Sequence, residues 1–386
     1  MNNVWEVFWR FLALGCISFG GPAAHIGYFQ RTFVQKLKWL DDDAYARLIS
    51  LSQFLPGPGS SQIGFALGYR RAGIFGAMAA FIGFTLPSFL LLYFLATTTL
   101  DESANGILVG MVHGLKLLAV VVVADATLGM FKSFCQDKIS ISIAVFTAIA
   151  LLVMPHLWTQ IGVLALAALV GAFYSKSNTR PNVQQQAGAG GFKLLPLLVF
   201  LVLFAGLPFL SGLSSWAQLF SGFYQAGSLV FGGGHVVLPL LQQTVGDAMD
   251  TDRFLMGYAA AQAVPGPMFT MATFLGAEMS VTNSLLGAFT ATLAVFLPGF
   301  LLVLSLQGVW ESLAAKPKVA GAAWGINAAV VGLLFSALYQ PVFTSAVSSS
   351  MEMALVILGF FLLRVIKLPI VWLVLGFALV GMALHY

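Results

Sequence analysis

The sequence predicts an all-α integral membrane protein made of two repeats with opposite membrane topology. Composition, internal repetition and charge placement carry that expectation. Of 386 residues, 59% are hydrophobic and 8% charged, with a mean hydropathy of +0.92; a soluble domain carries about 25% charged residues. Eighteen Lys+Arg and 14 Asp+Glu cannot cover a particle of 41.1 kDa in water, so most of the surface must face a lipid bilayer. That excludes a cytosolic enzyme, a nucleic-acid binder and a secreted disulfide scaffold. The net charge of +4 reports topology rather than a DNA-binding patch. Cys16 and Cys135 offer neither CxxC nor metal-ligand spacing.

The chain is written twice. Residues 19–22 read FGGP and residues 231–234 read FGGG, followed by His25 and His235 respectively. Gln53-Phe-Leu-Pro56-Gly57-Pro58 returns as Gln262-Ala-Val-Pro265-Gly266-Pro267, an offset of 209 that also lays Asp41, Asp43 and Tyr45 on Asp250, Asp252 and Phe254. Leu86-Pro87-Ser88-Phe89 returns as Leu297-Pro298-Gly299-Phe300 at an offset of 211, which places Gly110 and Gly114 on Gly321 and Gly325, and Lys116 on Asn327. A polar, glycine-rich stretch at 175–191 reads as a linker. The expected units are therefore 1–174, a linker with one extra span at 175–215, and 216–386. Two such halves in one membrane chain are the usual layout of a secondary transporter.

Segment lengths set the elements in order. A spanning helix needs about 20 apolar residues. Residues 5–18 and 23–35 are too short and hinge on Phe19-Gly20-Gly21-Pro22; residues 44–55 and 60–69 hinge on Pro56-Gly57-Pro58. Glycine and proline free backbone groups that are tolerated at membrane depth only where they line a cavity. These pieces read as two re-entrant hairpins. Spans at 74–97, 107–130, 139–153 and 157–174 complete the first half, and 194–210 is the extra span. The second half repeats the hairpins and spans 285–310, 321–340, 352–366 and 369–385.

Charges then orient the halves. Arg31, Lys36, Lys38, Arg47, Arg70 and Arg71 put the first-half hairpins at the cytoplasm. The matching loops hold Asp247, Asp250, Asp252 and Glu278, with Arg253 the lone base, and read as periplasmic. Asp101-Glu102 lies outside and its counterpart, Lys316-Pro317-Lys318, inside. The halves are expected to be inverted.

Where a tip breaks a helix, the new half-helix begins with unpaired N–H groups and a positive dipole end. Such an end suits an anion. The first tip leads into Ser60, Ser61 and Gln62, the second into Met268, Phe269 and Thr270, with Thr270 the partner of Ser61. The polar first tip is expected to hold most of a substrate. Gln53 and Gln262 precede each tip by three residues and could donate amides; the alternative is that these side chains only re-satisfy freed backbone. His25 and His235 either contact an anion or cap a broken helix. Lys116 lies ten residues into its span, where an ionisable group is a functional hypothesis by default. Its expected counter-charge is the transported anion; a carboxylate on another span or half-helix carbonyls are the alternatives. Arg10 is expected to pair with Glu6 one turn before it, and the GxxxG glycines to pack helices closely. With no HExxH, GxSxG or metal-ligand cluster, neither catalysis, a metal nor a cofactor is expected.

FGGPAAHIGYFQRTFV (19–34) and WLDDDAYARLISLSQFLPGPGSSQIGFALGYRRAG (39–73), with weaker copies FGGGHVVLP (231–239) and QAVPGP (262–267), resemble the signature of the chromate ion transporter family. The resemblance covers the whole chain and corresponds to the family's two-domain form. It implies a multi-pass protein of the bacterial inner membrane that exports chromate, with sulfate as the similar tetrahedral dianion and a homodimer as a further option. It places functional positions on Gly20, Gly21, Pro22, His25, Gln53, Pro56, Gly57, Pro58, Ser60, Ser61 and Gln62, and on Gly232, Gly233, His235, Pro265, Gly266 and Pro267 in the second copy. Gly234 stands where the first copy has Pro22, so the tips need not share roles. Export also follows from electrostatics: a dianion leaving a negative interior gains about 4.6 kcal/mol per 100 mV, roughly a thousandfold gradient. A carrier for sulfate or another oxyanion, and an anion channel, are the alternatives.

Overall fold

The computed structural model describes residues 3–19, 21–98, 106–174, 191–231, 236–280, 282–310, 313 and 316–384, and among these it is helical with no strand. Helix α1 (Asn3–Ile17) breaks before the glycine tip, and α2 (Gly21–Phe29) resumes and runs into a π-helical turn at Gln30–Lys36. Asp41 caps α3 (Asp42–Phe54), its carboxylate accepting from the Ala44 N–H at 2.6 Å. Pro56 and Pro58 cannot continue that helix, and α4 (Gly59–Thr97) begins beyond them. This 39-residue stretch is not one rod. Ala72 and Gly73 leave the helical region, with Gly73 at φ +62. A Cβ on Gly68 or Gly76 would collide with the carbonyl of the other. Eight positions along a straight helix span about 12 Å, so α4 doubles back, with 59–71 lying against 74–97.

Next come α5 (Gly106–Phe134), α6 (Lys138–Val153), α7 (Leu157–Tyr174) and α8 (Leu194–Leu210). The order then recurs: α9 (Ser215–Leu229), α10 (Val237–Val245), α11 (Thr251–Ala263), a 3-10 turn at Met268–Thr270, α12 (Met271–Met279), α13 (Ser284–Leu306), α14 (Pro317–Ala337), α15 (Ser350–Arg364) and α16 (Ile370–Leu384). Helix α11 starts 209 residues after α3, and α14 starts 211 after α5, the offsets of the sequence motifs. Gly276 against Gly287 closes the turn between α12 and α13 as Gly68 against Gly76 closes α4. Capping boxes start α6 at Asp137 and α15 at Ser349.

The chain is a multi-pass membrane protein. By length and composition, Gly59–Thr97, Val109–Phe134, Ser284–Leu306 and Pro317–Ala346 are long and apolar enough to cross a bilayer; the first is the doubled helix just described. The outer shell is apolar, with Phe75, Trp158, Phe173, Phe209 and Trp372 exposed, as a lipid-facing surface requires.

Packing sorts the helices into two bodies. In the first, α1 lies along residues 74–97, where a Cβ on Gly83 would stand 2.7 Å from the Phe8 carbonyl, and α9 lies along α13 at Gly227. Phe65 stacked on Phe300 at 4.2 Å joins α4 to α13. The second body contains α5–α7 and α14–α16. Gly114 meets the Phe377 carbonyl of α16, and Gly321 and Gly325 meet Gly171 and Ala167 of α7. The GxxxG glycines thus serve close helix packing as expected, but each pair packs on a helix of the other sequence half. Each packed body draws helices from both sides of residues 175–215.

A candidate substrate site at the paired helix breaks

Each tip closes on the other half. The Gly57 N–H donates to the Val230 carbonyl at 2.7 Å, and the Gly266 N–H donates to the Ser18 carbonyl at 3.0 Å. Ser18 and Val230 follow directly on α1 and α9, where a helix end leaves carbonyls without intrahelical partners. Both tip glycines hold left-handed backbone, φ +117 at Gly57 and φ +105 at Gly266, which an L side chain adopts only under strain. A Cβ on Gly57 would stand 3.0 Å from Gly299 Cα, and one on Gly266 2.9 Å from Ser88 Oγ. Ser88 and Gly299 follow Pro87 and Pro298 of the repeated motif. Each tip therefore touches the residue before an FGG string and the residue after a Leu-Pro pair in the other half of the sequence.

The first tip is a buried polar cluster. Ser60, Ser61 and Gln62 are almost fully buried in the first turn after the tip, and Ser18 and His25 entirely so. Gln62 Nε2 donates back to the Pro56 carbonyl at 2.7 Å and ties the tip to its helix. His25 Nε2 lies 3.1 Å from the Ser18 carbonyl, and Nδ1 lies 3.1 Å from Ser60 Oγ. A carbonyl only accepts, so Nε2 carries the hydrogen. The Nδ1 of a neutral ring then accepts from Ser60, whose proton is thereby spent. The imidazole stands edge-on to Phe84, centroids 5.1 Å apart.

What remains free at this tip is donor capacity. Ser61 Oγ has no partner among the described residues, and neither do the hydroxyls of Ser18 and Thr85; Gln62 Oε1 is an unpartnered acceptor. Pro58 supplies no side-chain cap, and the first intrahelical bond is Gln62 N–H to Pro58 O at 2.9 Å. The amides of Gly59, Ser60 and Ser61 precede it. Amides of a helix's first turn, an unpartnered hydroxyl and a dipole end in a low-dielectric site make an anion-binding arrangement.

The second tip satisfies itself. Thr270 Oγ1 and its N–H both donate to the Pro267 carbonyl, at 2.6 and 3.0 Å. Met268 and Phe269 fill the positions of Gly59 and Ser60. Gln262 is buried in α11, whereas Gln53 lies on the exposed side of α3. Gly21 opens α2 at φ +74. Gly20 and His235 lie outside the described residues.

Two ion-pair expectations are corrected. Lys116 Nζ bonds Asp252 Oδ1 at 2.6 Å, so its counter-charge is a carboxylate of the protein. Asp252 is not in the loop expected from the charge pattern: it sits in the first turn of α11, which the fold lays against α5. Glu6 is bonded not by Arg10 but by Arg71, at 2.8 Å, because the turn of α4 returns Arg71 to the start of α1; Arg10 stays on the exposed side. His113 with Glu352 at 2.7 Å and Arg364 with Asp125 at 2.9 Å also cross between the halves. Sequence reasoning missed Ser18, Phe84, Thr85 and Ser88. Ser88 sat in the repeated LPSF string and was recoverable; Ser18 acts chiefly through its carbonyl, which side-chain identity does not reveal.

The family model described as Chromate transporter matches residues 5–172 and 217–382. A chromate transport protein of Pseudomonas aeruginosa is 28% identical over 346 residues, covering 85% of this chain and 79% of that protein. A chromate transport protein of Cupriavidus metallidurans is 26% identical over 384 residues, covering 97% of this chain and 92% of its own length. An uncharacterized transporter of Methanocaldococcus jannaschii is 27% identical over 315 residues, 80% and 77% of the two chains. No solved structure matches the chain.

Proposed function

This chain belongs to the chromate transporter family, and we propose that it exports chromate, a tetrahedral dianion, across the bacterial inner membrane by alternating access between two inverted repeats. The hairpins are re-entrant, with their tips near mid-membrane. The membrane potential, with the proton motive force, drives the dianion outward, about 4.6 kcal/mol per 100 mV from the potential, and this export confers chromate resistance. The observation that carries this reading is the first tip: a buried helix start with an unpartnered Ser61 hydroxyl and first-turn amides that precede the first intrahelical bond, opposite a second tip whose Thr270 hydroxyl is spent on Pro267. The anion accepts from Ser61 and the amides, while His25 and Gln62 hold the tip in shape. Lys116, paired with Asp252, is outside this site.

The two tips give the test. Ser61→Ala removes a hydroxyl that holds nothing in the protein, so stability stays near native. A hydrogen bond to a charged group is worth about 1.5–3 kcal/mol, so the half-saturating chromate concentration is expected to rise about tenfold to a hundredfold. Thr270→Ala breaks a bond inside its own tip and costs about 1 kcal/mol of stability, leaving transport near native. Should Thr270→Ala be the more damaging to transport, the substrate sits at the second tip.

The orientation has its own test. With Cys16 and Cys135 replaced, single cysteines at positions 38 and 250 are expected to label from opposite faces of the membrane. Labelling of both from the periplasm would overturn the inversion.

A further inference from the structure

The two bodies meet asymmetrically. Helix α11 packs on α5 and α16, and α10 packs on α14. Helix α3, the repeat mate of α11, has no comparable packing on α14, the mate of α5. Burial follows suit. On α11, which packs on α5 of the second body, Leu255, Ala259 and Gln262 are buried and follow Asp252 at helical spacing. Three of the mates on α3 – Ala46, Ser50 and Gln53 when aligned at the same offset – are exposed together with Asp43. The closed seam contains the Lys116–Asp252 pair, in which the lysine side chain is 7% exposed and the aspartate side chain 52% exposed. On the open side the matching residues are Asp43, exposed, and Asn327, half-buried. One repeat's hairpin is shut against the second body and the other's stands off it.

In a carrier of two inverted repeats, the opposite-facing state is the same molecule with the packing of the repeats exchanged. We propose that Lys116–Asp252 is the latch of one mouth, and that in the other state α3 closes on α14, bringing Asp43 to Asn327 while Lys116 and Asp252 part. The inference rests on the inverted-repeat reading above but not on the identity of the substrate. The unequal latches also set a bias. A charged pair holds the present state and a carboxylate–amide contact the other, so the resting protein favours the mouth beside α3 being open.

Moving the lysine to the other repeat should reverse that bias. Ser50→Cys reports the exposed stripe and Ala259→Cys the buried one, each in a background lacking Cys16 and Cys135, with labelling rates measured by a hydrophilic maleimide on purified protein without chromate. With the native latch, Ser50→Cys labels quickly and Ala259→Cys slowly. Adding Lys116→Asn and Asn327→Lys together is expected to slow the first at least about fivefold and speed the second by a similar factor. Unchanged rates at both positions in the folded double variant overturn the proposal. If that variant fails to insert, the pair Asp43→Cys and Asn327→Cys decides: oxidative cross-linking supports the alternate contact, and its absence refutes it. Shifted labelling with no chromate flux would leave the latch standing and reject only the substrate.

Discussion

Gly57→Ala is expected to lower chromate flux at least tenfold. At φ +117 an alanine is strained, which costs about 1–3 kcal/mol. Its Cβ would also stand 2.9 Å from Gln62 Nε2 and 3.0 Å from Gly299 Cα. Gln62 cannot retreat without releasing the Pro56 carbonyl, and Gly299 is backbone of the opposite repeat. The tip must therefore shift, and with it the Gly57 N–H bond to Val230. Gly129→Ala is the control: it lies inside α5 with nothing within 4 Å of the new Cβ, and both yield and flux should be native. The comparison is read as initial rates in proteoliposomes at matched protein content.

His25→Ala is expected to be nearly as damaging, through stability as well as transport. It withdraws one of the two donors on the Ser18 carbonyl, strands the Ser60 hydroxyl and leaves a void beside Phe84. Buried unpaired polar groups and a cavity together cost about 2–4 kcal/mol. Thermal unfolding in detergent should show the loss directly. His25→Asn, which keeps a donor but is too short to span both partners, should recover part of the stability and little of the flux. A His25→Ala protein as stable as the native one would mean that the histidine is not the strut between the helix break and the first tip.

Most of the helical layout was legible because its signals are local. Apolar runs bounded by Gly and Pro set the helix ends, so the span expected at 157–174 is Leu157–Tyr174 and the half-helix expected at 44–55 is Asp42–Phe54. Pro56 and Pro58 stop a helix whatever surrounds them. The tip residues were legible for the same reason, since Ser60 and Ser61 must open the helix that follows. Partners distant in sequence were not. Lys116 and Asp252 are 136 positions apart, and only the packing of α11 on α5 brings them together. The cross-half bonds Gly57 to Val230 and Gly266 to Ser18 run between backbone atoms, which every residue carries and no motif advertises. Arg71 displaced Arg10 as the partner of Glu6 because α4 folds back at Gly73, a reversal visible in sequence only as one glycine among many.

Chromate flux into or out of proteoliposomes containing the purified protein, measured across a range of chromate concentrations with and without a potassium-diffusion potential, tests most directly whether a dianion is carried through the paired helix breaks. The expected result is saturable flux that accelerates when the destination side is made positive, is competed by sulfate only if that dianion shares the site, and needs more chromate for half-saturation in the Ser61→Ala protein. Flux that rises linearly with chromate, ignores the potential, or is identical in the Ser61→Ala protein would contradict it.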